Sequence, residues 1–141
     1  MSAKIFLDSN VLVYAFDQSD PVKRQRAVDI VQRRAEGPWA ISWQVVEEFS
    51  SVALHRFASP MTSTDLRALQ QLLLWPACRA LPSKALHLHA IALHEETQFR
   101  FYDCLIIAAA IESGAKALYT EDLQHGRELS GVRLVNPFLR D

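Results

Sequence analysis

Four acidic residues, Asp8, Glu48, Asp103 and Asp122, are the side chains whose type and placement most clearly suit chemistry. Two carboxylates about 4 Å apart repel by roughly 4 kcal/mol at an effective dielectric near 20, so acids that converge either take up protons or hold a cation. Oxygen-only donors select hard ions such as Mg²⁺ or Mn²⁺, which activate water and steady the leaving oxygen of a phosphodiester. Such an ion also supplies the positive charge by which an acidic site holds a polyanion.

Each acid is picked out by its position. Asp8 follows the apolar run Lys4 to Leu7, and Asp122 follows the run Lys116 to Tyr119 with Thr120 and Glu121 between. In an open parallel sheet, functional groups collect just beyond the carboxyl ends of strands. Taken singly, each of the two reads more simply as a helix N-cap, worth about 1 kcal/mol. Asp103 opens the segment Cys104 to Ile111, which has no polar face, so its carboxylate is partly desolvated unless it is paired or bound to metal. An N-cap favoured by the helix dipole is the alternative there. Between Glu47 and Glu48, helical phase decides. At about 100° per residue, Val45, Val46, Phe49, Val52 and Ala53 share one arc, with Glu48 beside it and Glu47 nearly opposite, facing water.

The elements that must carry these residues alternate between short strands and helices. Lys4 to Leu7 reads as the first strand. Asp20-Pro21 starts a helix that runs to about Glu36 before Gly37-Pro38, and Trp39 to Ser42 is a second strand. Ser42 caps a helix over Trp43 to Phe57, and Ser63 or Thr64 opens another that ends near Trp75-Pro76. Cys78 to Leu81 is a weakly signalled strand, followed by a helix from Ser83 to Thr97. Tyr102 to Ser113 is helical and apolar all round, hence buried, with Gly114 after it. Lys116 to Thr120 and Val132 to Val135 are the last strands, with a turn or short helix from Asp122. This order predicts an α/β fold with a parallel sheet covered on both faces.

The chain has 141 residues and is half apolar, enough for one compact domain spanning residues 1–141. Its 15 basic and 16 acidic residues leave a net charge of -1, which excludes a broad basic coat for nucleic acid. Cys78 and Cys104, both in apolar surroundings, read as buried thiols in a reducing compartment. No apolar run is long enough to span a bilayer and the N-terminus lacks a leader pattern, so a cytoplasmic protein without membrane attachment is expected.

Four segments, in order and spacing, resemble the PIN-domain nuclease family and especially its VapC-type toxins. They are Phe6-Leu7-Asp8-Ser9-Asn10, Ser42 through Gln44-Val45-Val46-Glu47-Glu48-Phe49, Phe101-Tyr102-Asp103-Cys104-Leu105-Ile106, and Leu118-Tyr119-Thr120-Glu121-Asp122-Leu123. The resemblance covers nearly the whole chain. It implies a three-layer α/β/α fold with a central parallel sheet, a pocket holding Mg²⁺ or Mn²⁺, and endonucleolytic cleavage of single-stranded RNA. By the match, Asp8 and Asp103 are the principal metal ligands and Glu48 and Asp122 complete the catalytic, metal-binding pocket. Asn10 and Thr120 fall where the family places supporting polar groups, with Glu121 beside them as a rival to Asp122. The resemblance further implies a homodimer and a small antitoxin that covers the pocket.

Other features have simpler readings. Lys23, Arg26, Arg33 and Arg34 share an arc of the first long helix and could touch RNA, although a solvated face is the plainer account. Arg100, close to Asp103, suits either a phosphate contact or a salt bridge to a pocket acid. His87, His89 and His94 lack the i, i+4 spacing of a helical zinc site. Leu66, Leu69, Leu72 and Leu73 with Trp75 form an apolar stripe for the core or a dimer surface. Two other functions fit the same acids: an RNA-binding module without catalysis, and a phosphotransferase or phospho-receiver using Asp8. The latter is opposed by Asn10 standing where a second acid is wanted and by the lack of a lysine after the late strand.

Overall fold

A computed structural model describes residues 3–33 and 37–139. Six strands, β1 (Ile5–Leu7), β2 (Trp39–Ser42), β3 (Cys78–Ala80), β4 (Ala117–Tyr119), β5 (Glu128–Leu129) and β6 (Val132–Val135), form one sheet in the order β3-β2-β1-β4-β6-β5. All neighbours are parallel except β5, which pairs antiparallel with β6. Every residue of β1 and β2 is buried, as expected of strands covered on both faces of an α/β/α sandwich.

The helices are α1 (Ser9–Phe16), α2 (Pro21–Val31), α3 (Trp43–His55), α4 (Ser63–Leu69), α5 (Trp75–Ala77), α6 (Lys84–Thr97) and α7 (Phe101–Glu112). Helix α1 packs on α2 and α3, and α6 packs on α7. Capping residues explain where several of them begin. Asp20, Ser42 and Ser83 each accept a backbone N–H two or three residues into their helix, and Pro21 opens α2 with its fixed φ. Seven consecutive residues of α7, Cys104 to Ala110, are buried, which accounts for its uniformly apolar sequence. Gly114, at φ +79°, ends it in the left-handed conformation that a side chain would strain.

Several expectations are revised. Thr62, rather than Ser63 or Thr64, caps α4. The chain does not stop before Trp75-Pro76 but passes through a π-helical segment, Gln70–Leu74, into α5. Proline is tolerated there because it enters at the first turn of α5. Leu72 is 81% exposed, so it leaves the apolar stripe, whose other members Leu66, Leu69, Leu73 and Trp75 meet the core together with the fully buried Leu74. Cys104 is buried, whereas Cys78 is only partly so, because its strand is at the sheet edge. Helix α2 ends at Val31, earlier than the expected end near Glu36, because Gln32 caps it and Arg33 turns to a left-handed φ of +59°; Arg34 and Glu36 themselves lie outside the described residues. The basic arc is locally engaged: Lys23 pairs with Glu121, Arg26 donates to the Pro137 carbonyl, and Arg33 sits over the Trp39 ring.

Candidate active site

Strand order places the site. The sheet extends one way from β1 through β2 and the other way through β4, so the crevice beyond β1 and β4 is a topological switch point. The Asp8 N–H donates to the Tyr119 carbonyl at 2.9 Å, carrying the β1–β4 pairing one residue past β1. Asp8 and Thr120 therefore emerge side by side.

Asp8 is 5% exposed. One carboxylate oxygen accepts the Ser9 N–H at 2.7 Å, capping α1, and the other accepts the hydroxyl of the fully buried Thr120 at 2.7 Å. The N-cap reading of this residue therefore holds, and its charge lies near those of Glu48 and Asp122. Burial pushes the Asp8 carboxyl up to about 6; the Thr120 and Ser9 hydrogen bonds oppose this, and the Glu48 and Asp122 charges reinforce it.

The remaining acids come from three other elements. Glu48, on α3, is half-buried and accepts from the Ser9 hydroxyl at 3.4 Å, while Glu47 faces solvent, as helical phase predicts. Burial raises the Glu48 carboxyl, hydrogen bonds from Gln44 and Ser9 oppose the rise, and the Asp103 and Asp122 charges add to it. Asp103 sits in the first turn of α7, where the helix dipole favours its charge; Arg100, not Asp103, occupies the N-cap position. Arg100 reaches Asp103 at 3.3 Å and is otherwise exposed, so the salt-bridge alternative is the one realised. Asp122 accepts from the Asn10 amide at 3.0 Å, and its backbone N–H donates to the Thr120 hydroxyl at 3.3 Å.

Asp8 thus feels the charges of Glu48 and Asp122, and Glu48 those of Asp103 and Asp122, so the four acids lie near one another beyond the ends of β1 and β4. Glu121, the rival to Asp122, turns elsewhere: it forms an ion pair with Lys23 at 2.8 Å and accepts from the Tyr14 hydroxyl. Sequence reasoning overlooked Ser9, which links Asp8 to Glu48, and Gln44, which hydrogen-bonds to Glu48 and to the Tyr102 carbonyl. The i, i+4 spacing of Gln44 and Glu48 on one helix was the available signal.

The donor set suits a hard divalent ion, being carboxylates with a neutral amide nearby, and the Asn10 Oδ1 is buried with no hydrogen-bond partner. Among the described residues, no three acidic, histidine or cysteine side chains stand close enough to grip an ion as placed. The histidines are not drawn in; His87 and His94 each bond a backbone carbonyl through Nδ1.

Thr120→Val removes a buried donor without changing shape much. At neutral pH it should destabilise the protein by about 1–3 kcal/mol, because an ionised carboxylate loses its partner. The Asp8 carboxyl should titrate still higher, which carbon-detected NMR would read. The stability loss should shrink as pH falls through about 6, below which Asp8 is protonated in the folded state with or without Thr120.

Most of the chain is similar in fold to several solved structures. A toxin–antitoxin complex from Klebsiella pneumoniae aligns at 21% identity with a TM-score of 0.68, covering 94% of this chain and 97% of that one. VapC20 of Mycobacterium tuberculosis, described as a toxin that cleaves the sarcin–ricin loop, aligns at 19% identity and TM-score 0.63, over 84% and 89%. VapBC2 of Rickettsia felis, bound to a DNA fragment from its promoter, aligns at 18% and 0.60, over 92% and 96%. No curated protein matches the chain. The PIN domain family model matches residues 5–127, a span that includes all four acids, and the chain belongs to the PIN domain family.

Proposed function

We propose that this protein is a Mg²⁺- or Mn²⁺-dependent endoribonuclease that hydrolyses RNA phosphodiester bonds, and that it is the toxin of a type II toxin–antitoxin pair. The observation that carries the reading is the pairwise charge coupling that links Asp8, Glu48, Asp103 and Asp122 in a PIN domain, with Asp8 buried and its carboxyl raised to about 6. A protein spends stability on a buried, poorly compensated carboxylate chiefly where function requires it.

Asp8, Asp103, Glu48 and Asp122 are the residues that would hold the ion. When bound, it supplies Lewis-acid activation of water and neutralises charge on the phosphodiester. The chain's own groups orient the acids. Thr120 and the Ser9 N–H fix the rotamer of Asp8, Ser9 and Gln44 restrain Glu48, Asn10 holds Asp122, and the Lys23–Glu121–Tyr14 group anchors the turn that carries Asp122. Arg100, largely exposed beside Asp103, would be the residue to meet a substrate phosphate. Asn10, Thr120 and Glu121 are thus positioning residues rather than participants.

Fold similarity to a toxin that cleaves RNA and to toxin–antitoxin complexes supports RNA as substrate and a small antitoxin as partner. A homodimer acting in the cytoplasm completes the proposal. The phospho-receiver alternative is less well supported, since both Asp8 oxygens are engaged and Lys23 is committed to Glu121.

The test is cleavage of a mixed single-stranded RNA pool by the purified protein in Mg²⁺, Mn²⁺, or EDTA. Cutting in either metal that stops in EDTA and resumes when Mn²⁺ is added back is expected. Cutting that ignores EDTA, or none in any condition, overturns the assignment.

A further inference from the structure

Next to the acid crevice lies a cavity of about 360 Å³ that none of the four acids lines, within the usual size range of small-molecule sites. Trp43, Gln44 and Glu47 of α3, His87 of α6, and Tyr102 and Leu105 of α7 are among its walls. Gln44 belongs to both sites: it lines the cavity and hydrogen-bonds to Glu48. Tyr102 likewise immediately precedes Asp103. A ligand in this cavity is therefore one side chain away from the reacting region.

The lining has an unusual composition for a surface left bare. Tyr102 is 67% exposed and Trp43 is 39% exposed. Tyr102 stands edge-on to Phe101, which in turn lies against His87. Glu47 is exposed and has no hydrogen bond or ion pair among the described residues. Flat π faces beside an apolar floor, with an uncommitted acceptor at the edge, match a nucleobase, which has two apolar faces and a polar rim.

The geometry points to a subsite for one unpaired base of the RNA, adjacent to the bond that is cut: Tyr102 offers exposed ring surface to it beside Trp43, whose ring is braced by Trp75 at 4.7 Å, and Glu47 accepts from an exocyclic amino group. This rests on the reading of the chain as an RNA nuclease and refines it. A paired base could not enter, so the subsite selects single-stranded or looped RNA. A carboxylate acceptor favours adenine, cytosine or guanine over uracil, which has no amino group.

Two measurements on the wild-type protein, Tyr102→Ala and Glu47→Gln test it. Binding of fluorescein-labelled oligo-A, oligo-C and oligo-U of equal length is followed by anisotropy in Ca²⁺, and cleavage of the same RNAs is followed in Mn²⁺. Both substitutions are at exposed positions, and circular dichroism checks that each variant folds. Tyr102→Ala should weaken binding of every oligomer about tenfold or more, and raise KM with kcat nearly unchanged, as loss of one stacked base does. Glu47→Gln should erase a preference for oligo-A and oligo-C over oligo-U.

Variants that bind and cut like wild type overturn the subsite and leave the nuclease assignment standing. Binding that depends on Tyr102 without any cleavage supports the subsite and removes the nuclease. Neither binding nor cleavage by wild type removes both. Unchanged RNA behaviour together with a Tyr102→Ala shift in sedimentation assigns the cavity to a second copy of the chain and overturns the proposal.

Discussion

Asp8→Asn should slow RNA cleavage by more than about 100-fold and at the same time make the metal-free protein more stable at neutral pH. Outer-shell partners of metal ligands typically contribute 10–100-fold to affinity or activity, so a direct ligand should exceed that. Asparagine keeps the oxygen that caps α1, and the Thr120 hydroxyl can rotate to accept from the new amide, so the local fold survives.

The stability gain follows from linkage. The Asp8 carboxyl is raised from 3.8 to about 6, so the folded state binds this proton more tightly than the unfolded chain. The corresponding stability is fully present below about pH 4 and is lost as pH rises to about 6. At about 1.4 kcal/mol per pH unit, the penalty above that window is on the order of 3 kcal/mol, and the uncharged variant escapes it. Melting curves across pH 3–8 check this. Wild type should lose stability between about pH 4 and 6 through this group, whereas the variant should not. Addition of Mg²⁺ or Mn²⁺ should restore the wild type, by about 2.7 kcal/mol at 100 times Kd, and should act less on the variant. Equal cleavage rates, or superimposable pH–melting profiles, would defeat the account of Asp8.

Phe49→Ala is the second large effect, and it acts on the support beneath the site rather than on the acids. Phe49 is fully buried next to Glu48 on α3, edge-to-face with Phe16 at 5.7 Å and with Phe57 at 6.0 Å. Truncating a buried phenylalanine costs about 3–5 kcal/mol, a large share of the roughly 5–15 kcal/mol that holds a domain together. A fall in Tm of roughly 10 °C or more is expected. Glu47→Ala, on the solvent side of the same helix, should stay within about 0.5 kcal/mol of wild type. A Phe49→Ala cost near that of the control would contradict the packing described for α3.

Much of the fold was legible in the sequence because its signals act within a turn of chain. A proline after a capping acid starts α2, a serine starts α3 and another α6, and an apolar segment with no polar face marks α7 as buried. The features that were not legible have no local signature. Strand β5 is two residues long and exists only because β6 lies beside it. The π-helical segment is helical by every local measure and differs only in how its turns are wound against the core.

The site divides in the same way. The kinds of residue and the choice of Glu48 over Glu47 came from the sequence, since helical period assigns a face to each side chain. Adjacent acids in an irregular turn have no period, so Glu121 and Asp122 could not be separated by pattern. Contacts with Lys23, 98 residues away, and Tyr14, 107 residues away, turn Glu121 aside and leave Asp122 facing Asn10. Likewise, nothing near Asp8 in the chain announces that its carboxyl titrates near 6. That follows from β1 lying at the middle of the sheet with β4 beside it, because burial and neighbouring charge are set by strand order and not by the residues next in sequence.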